Sequence, residues 1–367
     1  MTPRLRRDAR RSATLLPVLL MSAPVAASMS ITFLDVGQGD ATLVSADGHH
    51  VLIDGGQARD DAIVPLRHKG IRQLDLVVAT HAHADHTGGL ISVLEDKSVD
   101  TLWYNGDEHT TQTFEAFLDA ALDSEARYVE PTRGRTKALG GLEVTALHPG
   151  GDTQGGHLHD RNIVVRVSEG GCSAVITGDI ETDGELGILR SGMEVDADVL
   201  ELGHHGSRTS TGQRWLEAVD PDYVVAQYGE GNHYGHPHGE VLDRVERVGA
   251  EMLGTGAHGT IRMRCSGGVW EARAEARGPV VAGDRGGGAA AGVRAEEPPA
   301  TEAEAGCIDL NEASDEALEE IVHIGSVRAE AIIDDRPWSS VSELNAIHGL
   351  GPARVGDIKE QGEACVR

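Results

Sequence analysis

The sequence predicts an α+β protein, a large domain of short strands and a few helices followed by a small all-α domain. Three observations carry this reading. From Ile31 to about Glu271, short β-rich runs bounded by turn residues alternate with a few amphipathic stretches. Composition then shifts over 273–305, "RAEARGPVVAGDRGGGAAAGVRAEEPPATEAEA", which is rich in Gly, Ala, Pro and Glu and has no apolar period. Beyond it, "IVHIGSVRAEAII" and "AIHGLGPARVGDI" align with Gly325 over Gly351 and Arg328 over Arg354, a repeat of 26 residues. Glycines in register at both turns suit two helical hairpins better than a plain bundle.

In chain order, "MTPRLRRDARRSATLLPVLLMSAPVAAS" has a basic start, a short apolar stretch and small residues before Ser28. It reads as an export signal over 1–27, with Arg10-Arg11 giving it a twin-arginine character. The apolar stretch is too short for a membrane span, so no stable span is expected in the mature chain. The large domain is expected over 29–272, a disordered linker over 273–305 and the helical domain over 306–367. Strands are read at "SITFLDVG", "ATLVSA", "HHVLIDGG", "LDLVVAT", "TLWYNG", "LEVTALHP", "NIVVRVS", "CSAVITGD", "ADVLELG", "YVVAQYG" and "TIRMRCS". Helices are read near 60–69, 87–96, 111–123, 183–191, 211–218 and 239–248. "DLNEASDEALEEI" supplies the leading helix of the last domain, with Asn311 or Ser314 as its cap.

The chain carries 59 acidic and 32 basic residues, a net charge of −27, and its only lysines are Lys69, Lys97, Lys137 and Lys359. A carboxylate-rich, lysine-poor surface suits a halophile, where salt screens the self-repulsion. Cys172, Cys265, Cys307 and Cys365 show no CxxC spacing, which speaks against a cysteine zinc site. An even count in an exported chain permits two disulfides, and spacing leaves three pairings open. Cys307–Cys365 would bracket the helical repeat and staple a domain whose core alone is marginal, leaving Cys172–Cys265 at strand ends of the larger domain.

The densest chemistry lies in "VVATHAHADHTGGL". An apolar strand breaks off at Thr80 into His81, His83, Asp85 and His86. Those spacings cannot share one helix face, but they converge from a loop that enters a helix at Asp85-His86. Imidazoles with carboxylates suit zinc, manganese or iron. Four ligand-type side chains in six positions exceed what one ion needs from one loop, so a two-ion site is the natural reading.

"HAHADH" matches the HxHxDH motif of the metallo-β-lactamase superfamily. With "FLDVGQGDATL", "VLIDGG", "VITGDI", "LELGHHGS" and "GNHYGHPHGEVLDRV", residues 31–265 resemble the hydrolase domain of the ComEC competence family. The resemblance implies an αββα sandwich with two divalent metal ions, Zn or Mn, at one edge. It assigns His81 and His83 to the first metal, Asp85 and His86 to the second, and Asp179 to both. One of His204 and His205 completes the second metal, with His205 favoured. The third-motif ligand is His159 or His157, two apart before a strand, with His159 preferred and His148 ranked below. Asp54 and Asp35 are expected to orient imidazoles. His236 is expected near the substrate, protonating a leaving oxygen or steadying phosphoryl charge, while His233 and His238 stand by.

The last domain resembles the tandem helix-hairpin-helix of the ComEA family. That implies DNA contacts at Gly325, Arg328, Gly349, Gly351 and Arg354, through backbone N–H groups that read no sequence. His323 replaces the usual first glycine of the first hairpin, so the second hairpin is expected to bind phosphate better. Residues 305–367 hold 13 acidic and 5 basic side chains, a poor footprint for DNA in dilute buffer that strong salt would mask. The resulting expectation is an extracellular or cell-surface, metal-dependent DNA phosphodiesterase with a tethered capture module. Two alternatives stand beside it: a non-catalytic DNA-uptake receptor, and an exported metallohydrolase of another ester or a lactam.

Overall fold

The computed structural model describes residues 28–150, 158–276, Val280 and a set of positions between 307 and 366. The expected signal (1–27) and most of the expected linker lie outside the described residues.

Two sheets stack face to face. The first has the order Val269–Arg273, Ile261–Ser266, Ser28–Phe33, Thr42–Ala46, His49–Ile53, Leu76–Ala79, Thr101–Tyr104, Arg127–Val129. The second runs Glu251–Gly254, Tyr223–Ala226, Val199–Glu201, Cys172–Ile176, Val164–Glu169, Leu142–His148, Thr136–Leu139. Burial along each strand follows from what covers it. Ile261–Ser266 alternates buried and exposed residues, since one face meets the other sheet and the other meets solvent. Leu76–Ala79 and Cys172–Ile176 are buried throughout, because helices cover their outer faces.

The layer between the sheets joins Phe33, Ile53, Val78 and Trp103 to Val165, Ile176 and their neighbours. Outside the first sheet, Leu52 and Val77 meet Leu66, Leu90 and Phe117 from helices Ile63–His68, Ala84–Asp96 and Gln112–Asp123. Outside the second, Val175 and Leu200 meet Ile188, Trp215 and Val241 from helices Thr182–Ser191, Gln213–Val219 and Gly239–Val248. This is the αββα sandwich. Truncating a side chain such as Trp103, 1% exposed, would cost about 3–5 kcal/mol.

Both expected disulfides form. Cys172–Cys265 ties the second sheet to the first, closing a separation of 93 residues. Cys307–Cys365 ties Ile308–Asp309 to its parallel partner Ala364–Cys365. In the chain-entropy picture each is worth roughly 4 kcal/mol.

Some elements differ from expectation. Arg127–Val129, Thr136–Leu139, Glu251–Gly254 and Val269–Arg273 are strands that the sequence pattern did not single out. They lie at sheet edges, where half-exposed residues dilute the apolar signal. The folded domain also runs past its expected end at residue 272. The strand continues to Arg273, and the amides of Glu275 and Ala276 donate to the His258 carbonyl.

In the small domain Leu310, Ile321, Ile324, Ile332, Trp338 and Leu344 form a separate core. Ser314 is the cap, its hydroxyl accepting from the Ala317 amide at 3.3 Å. Asn311 instead binds the Trp338 backbone through both its Oδ1 and its Nδ2. Among the described residues no helix is long and apolar enough to cross a membrane.

Candidate metal centre

Strand ends from both sheets converge at one edge of the sandwich. Leu76–Ala79 delivers Thr80 and the histidine loop. Helix Ala84–Asp96 starts immediately after His83, so Asp85 and His86 occupy its first turn. That helix packs against the Asp54–Ala58 turn only because it carries Gly88 and Gly89. A Cβ on Gly89 would lie 1.8 Å from the Gly55 carbonyl oxygen.

Ligand-type atoms form two groups around Asp179. In the first, His81, His83, His159 and Asp179 each offer an atom within 4.8 Å of the others. His81 Nε2 lies 2.9 Å from His83 Nδ1, His159 Nε2 lies 3.3 Å from the same atom, and His81 and His159 both reach Asp179 Oδ2 at 3.7 Å. In the second, Asp85, His86 and His205 converge. His205 Nε2 lies 3.2 Å from Asp85 Oδ2, while His86 and His205 approach Asp179 Oδ1 at 3.4 and 3.7 Å. Asp179 therefore turns one oxygen to each group. It is 1% exposed, and neither oxygen receives a hydrogen bond.

Outer partners set which imidazole nitrogen carries the proton. Nδ1–H of His86 donates to Asp54 Oδ2 at 2.8 Å, and Nδ1–H of His205 donates to the Gln227 carbonyl and to Asp40 Oδ1. Each neutral ring then aims an Nε2 lone pair at carboxylate oxygens, a repulsive arrangement that a cation between them turns into ligation. Without one, protons take its place. Burial disfavours charge on His86 and His205, but Asp179 and its neighbours outweigh it and raise both imidazoles well above their ordinary value. Burial pushes the Asp179 carboxyl up, yet the surrounding imidazoles hold it well below the usual range. His81 and His83 are kept neutral by burial. The orphaned oxygens and the histidine/aspartate donor set are compatible with a dinuclear metal site.

One expectation needs correction. Asp35 does not orient an imidazole: it is exposed, and its Oδ1 accepts from the Gly37 amide. Asp40, 3% exposed, does that work on His205. Its turn comes close to the helix only through Gly39 at φ +128°, where a Cβ would meet the Asp85 carbonyl at 2.4 Å. His148 lies outside both groups, its Nδ1 bound to the Asn162 carbonyl at 2.6 Å. His157 lies outside the described residues.

His204 stands beside His205, both with left-handed backbone, at φ 49° and 55°. His204 Nε2 lies 3.8 Å from Asp179 Oδ2, on the side of the first group. Glu181 Oε1 lies 3.7 Å from His159 Nδ1 and 3.8 Å from His204 Nδ1. A neutral imidazole that ligates through Nε2 keeps its proton on Nδ1, so Glu181 suits an acceptor that aligns both rings better than it suits a ligand of a further ion. Neither Glu181 nor Asp40 had been singled out. A carboxylate two residues after Asp179 and another in "GQGD" were the available signals.

A second layer fixes the backbone. Buried Glu201 accepts from the Thr177 and Gly178 amides and from Gln227 Nε2, while Asn162 Oδ1 accepts from the Asp179 amide. Burial, then nearby Asp40, raises the Glu201 carboxyl to about 8. His236 is 2% exposed, with its ring 5.7 Å from that of His204 and stacked on Tyr234. Asn232 grips the loop, its Oδ1 accepting from the His236 amide and its Nδ2 donating to the His236 carbonyl. His238 Nδ1 accepts from the Arg208 amide, and the His233 ring lies against Tyr234.

The ordered motifs and this sandwich coincide with a known family. Residues 34–230 match the metallo-beta-lactamase superfamily. The chain belongs to that superfamily. Residues 304–361 of this metallo-beta-lactamase-fold chain match a helix-hairpin-helix motif. The chain is 30% identical over 254 residues to ComE operon protein 3 of Bacillus subtilis (strain 168), covering 64% of this chain and 33% of that one. It is 33% identical over 239 residues to Competence protein ComA of Neisseria gonorrhoeae, covering 64% and 32%. A third relative, named Deoxyribonuclease, from Thioalkalivibrio sp. (strain K90mix), is 56% identical over 63 residues, 17% of this chain and 18% of that one. The chain thus spans about a third of the length of the two competence proteins. Of the residues expected to touch DNA, Arg328 stands in a helical position. Gly325, Gly349, Gly351 and Arg354 lie outside the described residues.

Proposed function

We propose that this chain is an exported, metal-dependent phosphodiesterase that cleaves DNA, with a C-terminal module that captures DNA regardless of sequence. The observation that carries the reading is Asp179. It turns one unbonded oxygen to each of two histidine groups, on a chain that also carries a helix-hairpin-helix motif. The names of the competence relatives and of the Deoxyribonuclease support a DNA substrate.

His81, His83 and His159 would hold one divalent ion, Asp85, His86 and His205 the other, and Asp179 both. Zinc and manganese suit this donor set. Bound there, the ions supply Lewis acidity towards phosphoryl oxygens and lower the pKa of water. The chain's own residues do the rest. Asp54, Asp40 and Glu181 fix ring orientation. Burial keeps His236 neutral, which suits a hydrogen-bond donor that steadies phosphoryl charge better than a full proton donor to the leaving oxygen. Hairpin amides in the small domain would hold the backbone of a long substrate near this edge.

The test is purified protein on supercoiled and linear DNA in molar KCl, with Mn²⁺, Zn²⁺ or Mg²⁺ against a chelator control. Metal-dependent loss of DNA is expected. Intact DNA with every metal, together with turnover of a chromogenic lactam, would move the chain to the other-hydrolase reading.

A further inference from the structure

At the far end of the first sheet from the metal centre lies a cleft of about 720 Å³, lined in part by Ser45, His49, His50, Lys69, Arg72 and Asp75. His50 and Asp54 belong to the same strand and its exit, so the cleft and the centre stand roughly 13 Å apart along extended chain. The two are separate places.

The cleft is cationic in a chain of net charge −27. Its one lining carboxylate is already engaged. Asp75 Oδ1 bonds His49 Nδ1 at 2.9 Å, and Asp75 Oδ2 accepts from the His50 amide at 2.9 Å. Lys97 and Lys137 are paired with Asp96 and Asp100 at 2.8 Å, and Lys359 donates to Ser342. Among the described residues, neither the Lys69 ammonium nor the Arg72 guanidinium meets a carboxylate. Lys69 instead faces the positive charge of Arg262, and burial with that neighbour lowers its pKa. A basic residue at the end of helix Ile63–His68 complements the helix dipole, which accounts for Lys69 alone. It does not account for Arg72 and two imidazoles gathered on the same cleft.

We propose that this cleft binds a phosphate-bearing anion at a site distinct from the metal centre. An Arg fork and an ammonium around one cavity suit a tetrahedral anion with several acceptor oxygens, and a His50 ring whose Nδ1 accepts from the Ser45 hydroxyl at 2.9 Å would add an Nε2–H donor. The volume admits a nucleotide-sized group. The anion comes either from free phosphate or from the backbone of a polynucleotide strand, and the site stands whatever the metal centre cleaves.

Calorimetric titration of the full chain with inorganic phosphate, and separately with a short single-stranded oligonucleotide, decides it. In Lys69→Ala/Arg72→Ala protein, affinity for at least one probe is expected to fall tenfold or more, and Lys69→Arg, which keeps both charges and the Arg72 fork, should retain most of it. Both residues are exposed, so an unchanged thermal midpoint checks the fold. Loss with phosphate identifies a free-anion site, and loss with the oligonucleotide alone identifies a strand-binding site. Equal affinity of wild type and alanine variant for both probes overturns the proposal.

Discussion

Asp54 Oδ2 accepts from His86 Nδ1 at 2.8 Å and from the Thr80 hydroxyl at 2.7 Å, while Asp54 Oδ1 takes the Thr80 amide. One buried carboxylate thus sets a ring in the second ligand group and the strand end that launches the first. Asp54→Asn presents an amide where one of these donors now points. The variant is expected to fold and to bind Zn²⁺ or Mn²⁺ about 10–100-fold more weakly, the usual scale for such outer partners. Metal affinity by competition with a chromogenic chelator measures this; unchanged affinity would deny Asp54 that role.

Asp85→Ala with His86→Ala removes two of the three side chains of the second group, His86 among them facing Asp179 Oδ1. Metal-dependent hydrolysis is expected to fall to background, whereas retention of DNA on filters by the full chain stays within about twofold of wild type. Activity at the wild-type level in the double variant would remove the metal centre from the reaction.

Removing residues 306–367 separates capture from chemistry. Turnover on bis-p-nitrophenyl phosphate should be unchanged, since that diester needs only the metal edge. Apparent KM on kilobase DNA should rise several-fold with kcat nearly constant, because tethering changes capture and not the chemical step. Equal KM for both proteins would make the helical module a protein anchor.

Glu185 offers a pH test away from the ligands. It is 1% exposed and accepts from the Gly212 amide and the Thr211 amide, and burial raises its carboxyl to about 7 from an ordinary value of 4.5. With the folded pKa above the unfolded one, the folded state binds the extra proton. Its contribution to stability is therefore fully present below about pH 4.5 and is lost as pH rises through about 7. The loss is on the order of 3 kcal/mol. Urea unfolding at pH 5 and pH 8 should show this decline in wild type and a shallower one in Glu185→Gln. Parallel declines would place the titration elsewhere.

Much of the centre was legible because its residues stand close in sequence at the ends of apolar strands. His81, His83, Asp85 and His86 span a strand exit and the first helical turn, a pattern fixed by local backbone alone. Asp179 ends a run buried along its whole length, and the hairpin repeat announces itself by glycines in register. Edge strands such as Arg127–Val129 were not legible, since their residues are mostly exposed and leave no apolar period.

The sequence by itself determined the ligand types, the motifs whose resemblance implies the αββα order, and the presence of a second, helical unit. Tertiary structure decided between candidates that local pattern could not rank. It chose Asp40 over Asp35, which lie five residues apart in one motif, because only Asp40 falls beside His205 across a separation of 165 residues. It turned His148 to a backbone carbonyl, gathered His159 and His204 around Glu181, and left Lys69 and Arg72 on a cleft where, among the described residues, neither meets a carboxylate. The physical reason is common to all four cases. A hydrogen bond or an ion pair acts over a few ångströms, and which distant side chains come within that reach is set by how the sheets stack, for which no local spacing carries a signal.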